Sequence, residues 1–199
     1  FEQKNDENPR DQLGKIGVSL DEIDYVVMSH LMTEHAGWLP VFEDKDAEIV
    51  VQRDEMEYAL INSRHEWAPE PFHSFMYDRD LFDLPGLNYR IIEGDLTLLE
   101  GVDILHTPGH TPGYQRVMVR LEDTGPVILS LCEHQGMFYD VGINAKAPGI
   151  PHAFTHSAAQ ELESNRRIQN IAEAEGAEIF FGHDYDQYQE MKKPPEYYD

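Results

Sequence analysis

At 199 residues, 41% hydrophobic and 11% aromatic, the chain is sized for one domain with a real apolar core, and a single domain over 1–199 is expected. A formal charge of −23 repels phosphate backbones and anionic headgroups, which argues against nucleic-acid and membrane-surface partners. One cysteine, Cys132, rules out an intramolecular disulfide within this sequence, and no apolar run is long enough to span a bilayer, so a cytoplasmic protein is expected.

The start, Phe1 to Asp6, lacks both an initiator Met and signal-peptide character and reads as internal. Asn8-Pro9 followed by Asp11, Leu13 and Ile16 predicts a short capped helix ending at Gly17. The β-branched run Ile23 to Ser29 predicts a strand that delivers His30 to its C-terminal end. A strand at Glu48–Gln52 and a helix from Asp54 to Ile61 follow. Between Asn62 and Pro85 the pattern dissolves into Trp67, Phe72, Phe75 and Phe82 among prolines, which reads either as a substrate-facing lid or as a loop packed on the core.

From Tyr89 onward, short β-type runs recur at Tyr89–Ile92, Leu96–Leu99, Val102–Leu105, Gln115–Leu121 and Val127–Leu131. Turn signals at Glu93-Gly94-Asp95, Glu100-Gly101 and Asp123-Thr124-Gly125-Pro126 make this a predicted β-meander. Ser157, with Gln160 three residues on, starts a helix carrying Leu162, Ile168 and Ile171 along one face and stopping at Gly176. Ile179-Phe180-Phe181 is then a buried strand, and the tail from Lys192 is expected at the surface. Strands grouped between helices predict a layered α/β or α+β domain.

Three histidine-bearing segments share one design, a β-type run that ends with a His near the junction. They are Ser29-His30-Leu31-Met32-Thr33-Glu34-His35, His106-Thr107-Pro108-Gly109-His110-Thr111-Pro112-Gly113 and Phe181-Gly182-His183-Asp184. Side chains at strand ends of one sheet face can converge though far apart in sequence, and imidazole with carboxylate is a common ligand set for Zn²⁺ or Fe²⁺.

These segments resemble the metallo-β-lactamase superfamily, most closely its lactone hydrolases of the N-acyl homoserine lactonase and 4-pyridoxolactonase type. The resemblance spans nearly the whole chain and implies an αββα sandwich in which a metal-bound hydroxide attacks a carbonyl. It also implies that one or two N-terminal strands of the family domain are absent here. Position by position, His30 and His35 match the first and last histidines of the family's His-x-His-x-Asp-His motif, with Met32 at its second histidine and Glu34 at its aspartate. His110 and His183 match the remaining histidines. By register Cys132 takes the bridging aspartate's place, with Glu133 and His134 adjacent, and Gln135 stands where family lactonases carry a tyrosine. Tyr114 replaces a histidine common after the His-Thr-Pro-Gly block.

These departures are uneven. A half-site of His30, Met32 and His110 loses an imidazole to a thioether, whereas Glu34, His35 and His183 keep two imidazoles and a carboxylate. One ion rather than two is therefore expected, zinc first, with iron or manganese as alternatives. Cys132 reads equally as a thiolate ligand and as a small buried hydrophobe, with Glu133 as the alternative bridge. Glu34 is either a ligand or the catalytic general base. Trp38 is assigned to a substrate pocket or to the core, and Gln135 to the substrate side. His106 reads as structural, and His65, His73, His152 and His156 as hydrogen-bonded or solvent-facing.

The expected function is a hydrolase acting on a lactone, ester or substituted aromatic small molecule. The alternative is a non-catalytic or partner-dependent subunit of a homo- or hetero-oligomer that completes the sheet.

Overall fold

The computed structural model describes residues 8–63, 76–133, 151 and 155–199. They fall into two units, the first comprising Phe1–Ile92 with Lys192–Tyr197 and the second Glu93–Met191 with Tyr198–Asp199. The aromatic run from Trp67 to Phe75, Gln135, and His65, His73, His134 and His152 lie outside the described residues.

The first unit begins with helix α1 (Pro9–Gly14), whose N-terminus is capped as predicted, the Asn8 side chain accepting from Arg10 N at 2.9 Å. A 3₁₀ turn at Leu20–Glu22 leads into strand β1 (Tyr25–Val27), shorter than the predicted Ile23–Ser29. Only three residues pair fully with β2 (Glu48–Gln52), although Met28 N still donates to Val50 O at 3.0 Å. After β1 come helix α2 (Thr33–Ala36) and a second 3₁₀ turn, Leu39–Phe42. Helix α3 (Arg53–Asn62) follows β2, helix α4 (Arg79–Phe82) lies beyond it, and strand β3 (Asn88–Ile92) pairs with β2.

The sheet order is β1-β2-β3, all parallel, so each pair needs a crossover connection, which the helical segments supply. Central strand β2 has Ile49, Val50 and Val51 fully buried, as expected for a parallel strand covered on both faces. The apolar core of this unit gathers Leu31, Met32, Ala36, Leu39, Phe42, Phe82 and neighbours.

The second unit is a five-stranded sheet in the order β4-β5-β6-β7-β8: Leu96–Leu99, Val102–His106, Gln115–Leu121, Gly125–Ser130 and Glu178–Phe181. The first four strands form the predicted antiparallel meander. Asn88–Ile92 is not part of it. The Glu93-Gly94-Asp95 turn does not close a hairpin, because β3 is paired along all five residues with β2. Asp95 instead accepts from His106 N at 2.9 Å and pairs with Arg167.

Helix α5 (Ala158–Glu175) provides the long connection that lets β8 lie parallel to β7. Its cap is as read, Ser157 Oγ accepting from Gln160 N and Gly176 closing the helix in the left-handed conformation at φ 67°. The predicted apolar row is only part of its inward face, with Ile168 and Ile171 in this unit's core. Leu162 and Ile171 are half-buried, and the buried residues are Glu161, Ser164, Asn165, Ile168 and Ala172, so most of the inward stripe is polar. Helix α6 (Tyr185–Glu190), not anticipated from the sequence, is capped by Asp184. Its Gln187 satisfies the backbone on the side of β8 that no other strand pairs among the described residues, accepting from Phe181 N at 2.7 Å and donating to Ile179 O at 2.8 Å. The tail is largely exposed as expected, although Asp199 O accepts from Asp123 N and Thr124 N. Among the described residues no helix is long and apolar enough to cross a membrane.

Candidate metal centre

Topology explains why three of the predicted residues meet in the second unit. β5 and β7 both run antiparallel to β6, and β8 runs parallel to β7, so the C-terminal ends of β5, β7 and β8 share one edge of the sheet. His110, Cys132 and His183 all lie just beyond those ends. The Cys132 thiol is within 4.8 Å of a ring nitrogen of His110 and of one of His183. Cys132 and His110 are buried, whereas His183 is exposed. A thiol with two imidazoles is a donor set suited to zinc.

The loop carrying His110 is docked on the start of α5. Gly109 O accepts from Thr155 Oγ1 at 2.7 Å and from Ser157 N at 2.9 Å, while His110 O accepts from His156 N at 2.9 Å. Ser164 Oγ donates to Pro108 O at 2.7 Å, and Arg167 donates to His106 O at 2.8 Å. Only glycine fits at 109, since a Cβ there would meet the backbone of Glu161 at 2.3 Å and φ is 151°. His106 has the structural role assigned to it, its Nε2 lying 3.1 Å from Pro112 O. His156 is exposed.

Behind the Cys132 loop lies a buried polar network that the sequence reading did not contain. Arg116 on β6 and Glu133 form an ion pair at 2.6 Å with both side chains 1% exposed. The guanidinium also donates to Asn165 Oδ1 at 2.7 Å and Ser130 Oγ at 2.9 Å. Glu133 Oε2 accepts from Ser130 Oγ at 2.6 Å and Tyr114 OH at 2.9 Å, so both carboxylate oxygens are engaged. Burial works to raise the Glu133 carboxyl, but the Arg116 charge and the bonds from Ser130, Tyr114 and Arg116 outweigh it and hold the group below the ordinary carboxylate range. The same burial, with the Glu133 charge, pushes the Tyr114 phenol well above its usual value. Two bonds join this network to the candidate ligands, Cys132 N donating to Tyr114 OH at 3.1 Å and His183 N to Glu133 O at 3.0 Å. Period two gave no signal for this network: along β6 the apolar residues Val117, Val119 and Leu121 share one face, whereas Arg116 shares the other with Met118 and Arg120, so alternation alone assigns Arg116 to the polar side.

In the first unit the loop after β1 brings His30, Glu34 and His35 together. The rings of His30 and His35 meet edge to face at 4.3 Å between centroids, and His30 and Glu34 each offer a donor atom within 4.8 Å of the other. His30 is fully buried, His35 half-buried and Glu34 exposed. Ser29 Oγ lies 3.4 Å from His35 Nδ1, and Met32 N donates to His30 Nδ1 at 3.3 Å. Met32, 3% exposed, is part of this unit's apolar cluster. Trp38 is half-buried and immediately precedes the second 3₁₀ turn.

A residue missed from the sequence holds this loop. Glu55, in the first turn of α3 and fully buried, accepts from Leu31 N at 2.9 Å and from Tyr77 OH at 3.3 Å. Burial, reinforced by the Glu55 charge, pushes the Tyr77 phenol far above its usual value. An acid in a helix's first turn reads as an ordinary dipole partner, so nothing local marked Glu55 as the anchor of a loop 24 residues earlier.

Residues 2–128 match the family described as the metallo-beta-lactamase superfamily. The chain is 35% identical over 185 residues to an N-acyl homoserine lactonase from Bacillus sp, covering 93% of this chain and 65% of that protein. It is 32% identical over 204 residues to N-acyl homoserine lactonase AttM of Azorhizobium caulinodans, covering 98% of this chain and 71% of that protein. A solved N-acyl homoserine lactone hydrolase, with the product N-hexanoyl-L-homoserine at its catalytic metal center, superposes with a TM-score of 0.77 at 31% identity, over 99% of this chain and 70% of that one. The chain thus spans 65% of the length of the Bacillus relative. With the α/β fold of these lactonases and a family match over more than half its length, the chain belongs to the metallo-β-lactamase superfamily.

Proposed function

We propose that this chain, read as one domain, is a metal-dependent hydrolase of a small-molecule lactone, ester or substituted aromatic. His30, Glu34, His35, His110, Cys132 and His183 are the ligand set, and one ion is held rather than two. The observation that carries the reading is the thiol of Cys132 within 4.8 Å of both His110 and His183, just beyond the C-terminal ends of β5, β7 and β8. Membership of the family, and the lactonase activity named for its relatives, supply the reaction class. A zinc, iron or manganese ion bound there would polarise the substrate carbonyl and lower the pKa of water.

The chain's own residues would do the rest. His30 and His110 are each buried within their own unit and would offer imidazole nitrogens to the ion. Glu34, exposed at the start of α2, can take a proton from an attacking water or reach the ion itself. Trp38 and Gln135 are proposed on the substrate side, and the single cysteine keeps a reducing compartment such as the cytoplasm as the setting.

One observation favours a second reading, a non-catalytic or partner-dependent subunit. Met32 stands at the family's second histidine and packs in the apolar cluster, so that ligand position has become core. Metal analysis of the purified chain, with a panel of lactones and aryl esters assayed with added Zn²⁺, Mn²⁺ or Fe²⁺, separates the two. Stoichiometric metal and chelator-sensitive turnover are expected. Neither metal nor turnover on any panel member would overturn the hydrolase and leave the second reading.

A further inference from the structure

A buried ion pair is poor evidence for stability, because desolvating both charges offsets their attraction. The Arg116–Glu133 pair therefore asks for another role, and its position supplies one. It lies directly behind two candidate ligands, and its bonds end on their backbones: Tyr114, which donates to Glu133, accepts from Cys132 N, and the Glu133 carbonyl accepts from His183 N. The remaining partners, Ser130 and Asn165, are buried as well and come from β7 and α5, so the guanidinium ties β6, β7 and α5 to the loop that carries the thiol.

We infer that Arg116 and Glu133 are positioning residues that hold Cys132 and His183 at ligand spacing before any ion arrives. By committing both oxygens of Glu133, they also leave the Cys132 thiol, rather than the neighbouring carboxylate, as the anionic donor of the half-site that the second unit builds from His110, Cys132 and His183. The inference rests on the metal-site reading proposed above and adds two things to it. The half-site is assembled by protein rather than by metal. Its anion is sulfur, which favours thiophilic ions such as Zn²⁺, Co²⁺ and Cd²⁺ over Mn²⁺. Supporting shells of this kind set both the orientation and the affinity of a metal's ligands.

The test uses the full chain and the double variant R116Q/E133Q, which removes both charges, keeping the size of Glu133 and leaving a shorter polar amide at 116. The first readout is Co²⁺ binding followed by the near-ultraviolet thiolate charge-transfer band. The second is alkylation of metal-free protein by iodoacetamide at its one cysteine. A double variant with an unchanged far-ultraviolet circular dichroism spectrum should bind Co²⁺ about 10–100-fold more weakly and be alkylated at least about 10-fold faster. The native chain should prefer Co²⁺ and Zn²⁺ to Mn²⁺ by at least about 100-fold. A folded double variant within about twofold of the native protein in both readouts would overturn the positioning role. Equal affinity for Mn²⁺ would overturn the sulfur ligand.

Should the double variant not fold, Arg116→Lys, which keeps the charge pair but loses the planar fork, carries the same measurements. Intermediate values support the inference, and native values refute it. If the native chain takes up no Co²⁺, the metal reading fails by itself, and the alkylation rates still decide whether the network holds Cys132 in place.

Discussion

Replacing Gly182 by alanine measures how closely the ends of β7 and β8 must approach. A Cβ at 182 would lie 2.1 Å from the carbonyl oxygen of Leu131, with that residue's carbonyl carbon and Cα at 2.7 and 2.8 Å. These are backbone atoms, so no rotamer change relieves the contact. Reaching even 3.0 Å requires the two segments to part by about 0.9 Å. The bonds that cross this gap are Gly182 N to Ser130 O at 2.9 Å and His183 N to Glu133 O at 3.0 Å. Opened by that amount, both would pass beyond hydrogen-bonding range. At roughly 1 kcal/mol each, with strain added, Gly182→Ala should destabilise the chain by about 2–4 kcal/mol. It should also draw His183 from Cys132 by close to an ångström, and a misplacement of about 1 Å in a catalytic array costs on the order of 100-fold in rate. Urea denaturation gives the first number, and Zn²⁺ competition titration with lactone turnover gives the second. A variant within about 0.5 kcal/mol of the native protein, with native Zn²⁺ affinity, would refute the reasoning.

Glu55→Ala removes the buried acceptor shared by Leu31 N and Tyr77 OH and should lower stability by about 2–4 kcal/mol, with Glu55→Gln recovering part of the loss in thermal unfolding. Because Glu133 is held below its ordinary range, its contribution to stability is complete above that range and declines as pH falls through the depressed value. The stability of the native chain relative to R116Q/E133Q, whatever its sign at neutral pH, should therefore fall on acidification through the carboxylate range; urea unfolding at a series of pH values checks this, and a constant difference would count against it. Met32→His places an imidazole in the apolar cluster and should cost about 1–3 kcal/mol in chelated protein, part of which excess Zn²⁺ should restore in thermal unfolding. An equal loss with and without Zn²⁺ would mean that position 32 does not border an ion.

Much of the fold was legible because the signals were local. The Asn8 and Ser157 caps, the Gly176 stop and the runs Glu48–Gln52, Leu96–Leu99 and Gln115–Leu121 came out where residue type and spacing put them. The errors came where pairing partners decide. Asn88–Ile92 is as β-rich as its successors, yet it belongs to a parallel sheet whose central strand lies 36 or more residues earlier in the chain. The polar part of α5's inward face was not legible, because Glu161 and Asn165 count as surface residues by type, whereas both are buried beside the loops they serve.

The sequence by itself determined the family and the candidate ligands, since the spacing of His30, Glu34, His35, His110 and His183 is a property of the chain read in one dimension. It also exposed the two departures at Met32 and Cys132. Only the tertiary structure could decide that Glu133 turns to Arg116, and that Met32 has joined the apolar core. Arg116, Ser130, Glu133 and Asn165 come from β6, β7, the loop beyond it and α5, and no local pattern links them. A buried charge takes its meaning from the partner that neutralises it, and that partner is chosen by packing, not by proximity in sequence.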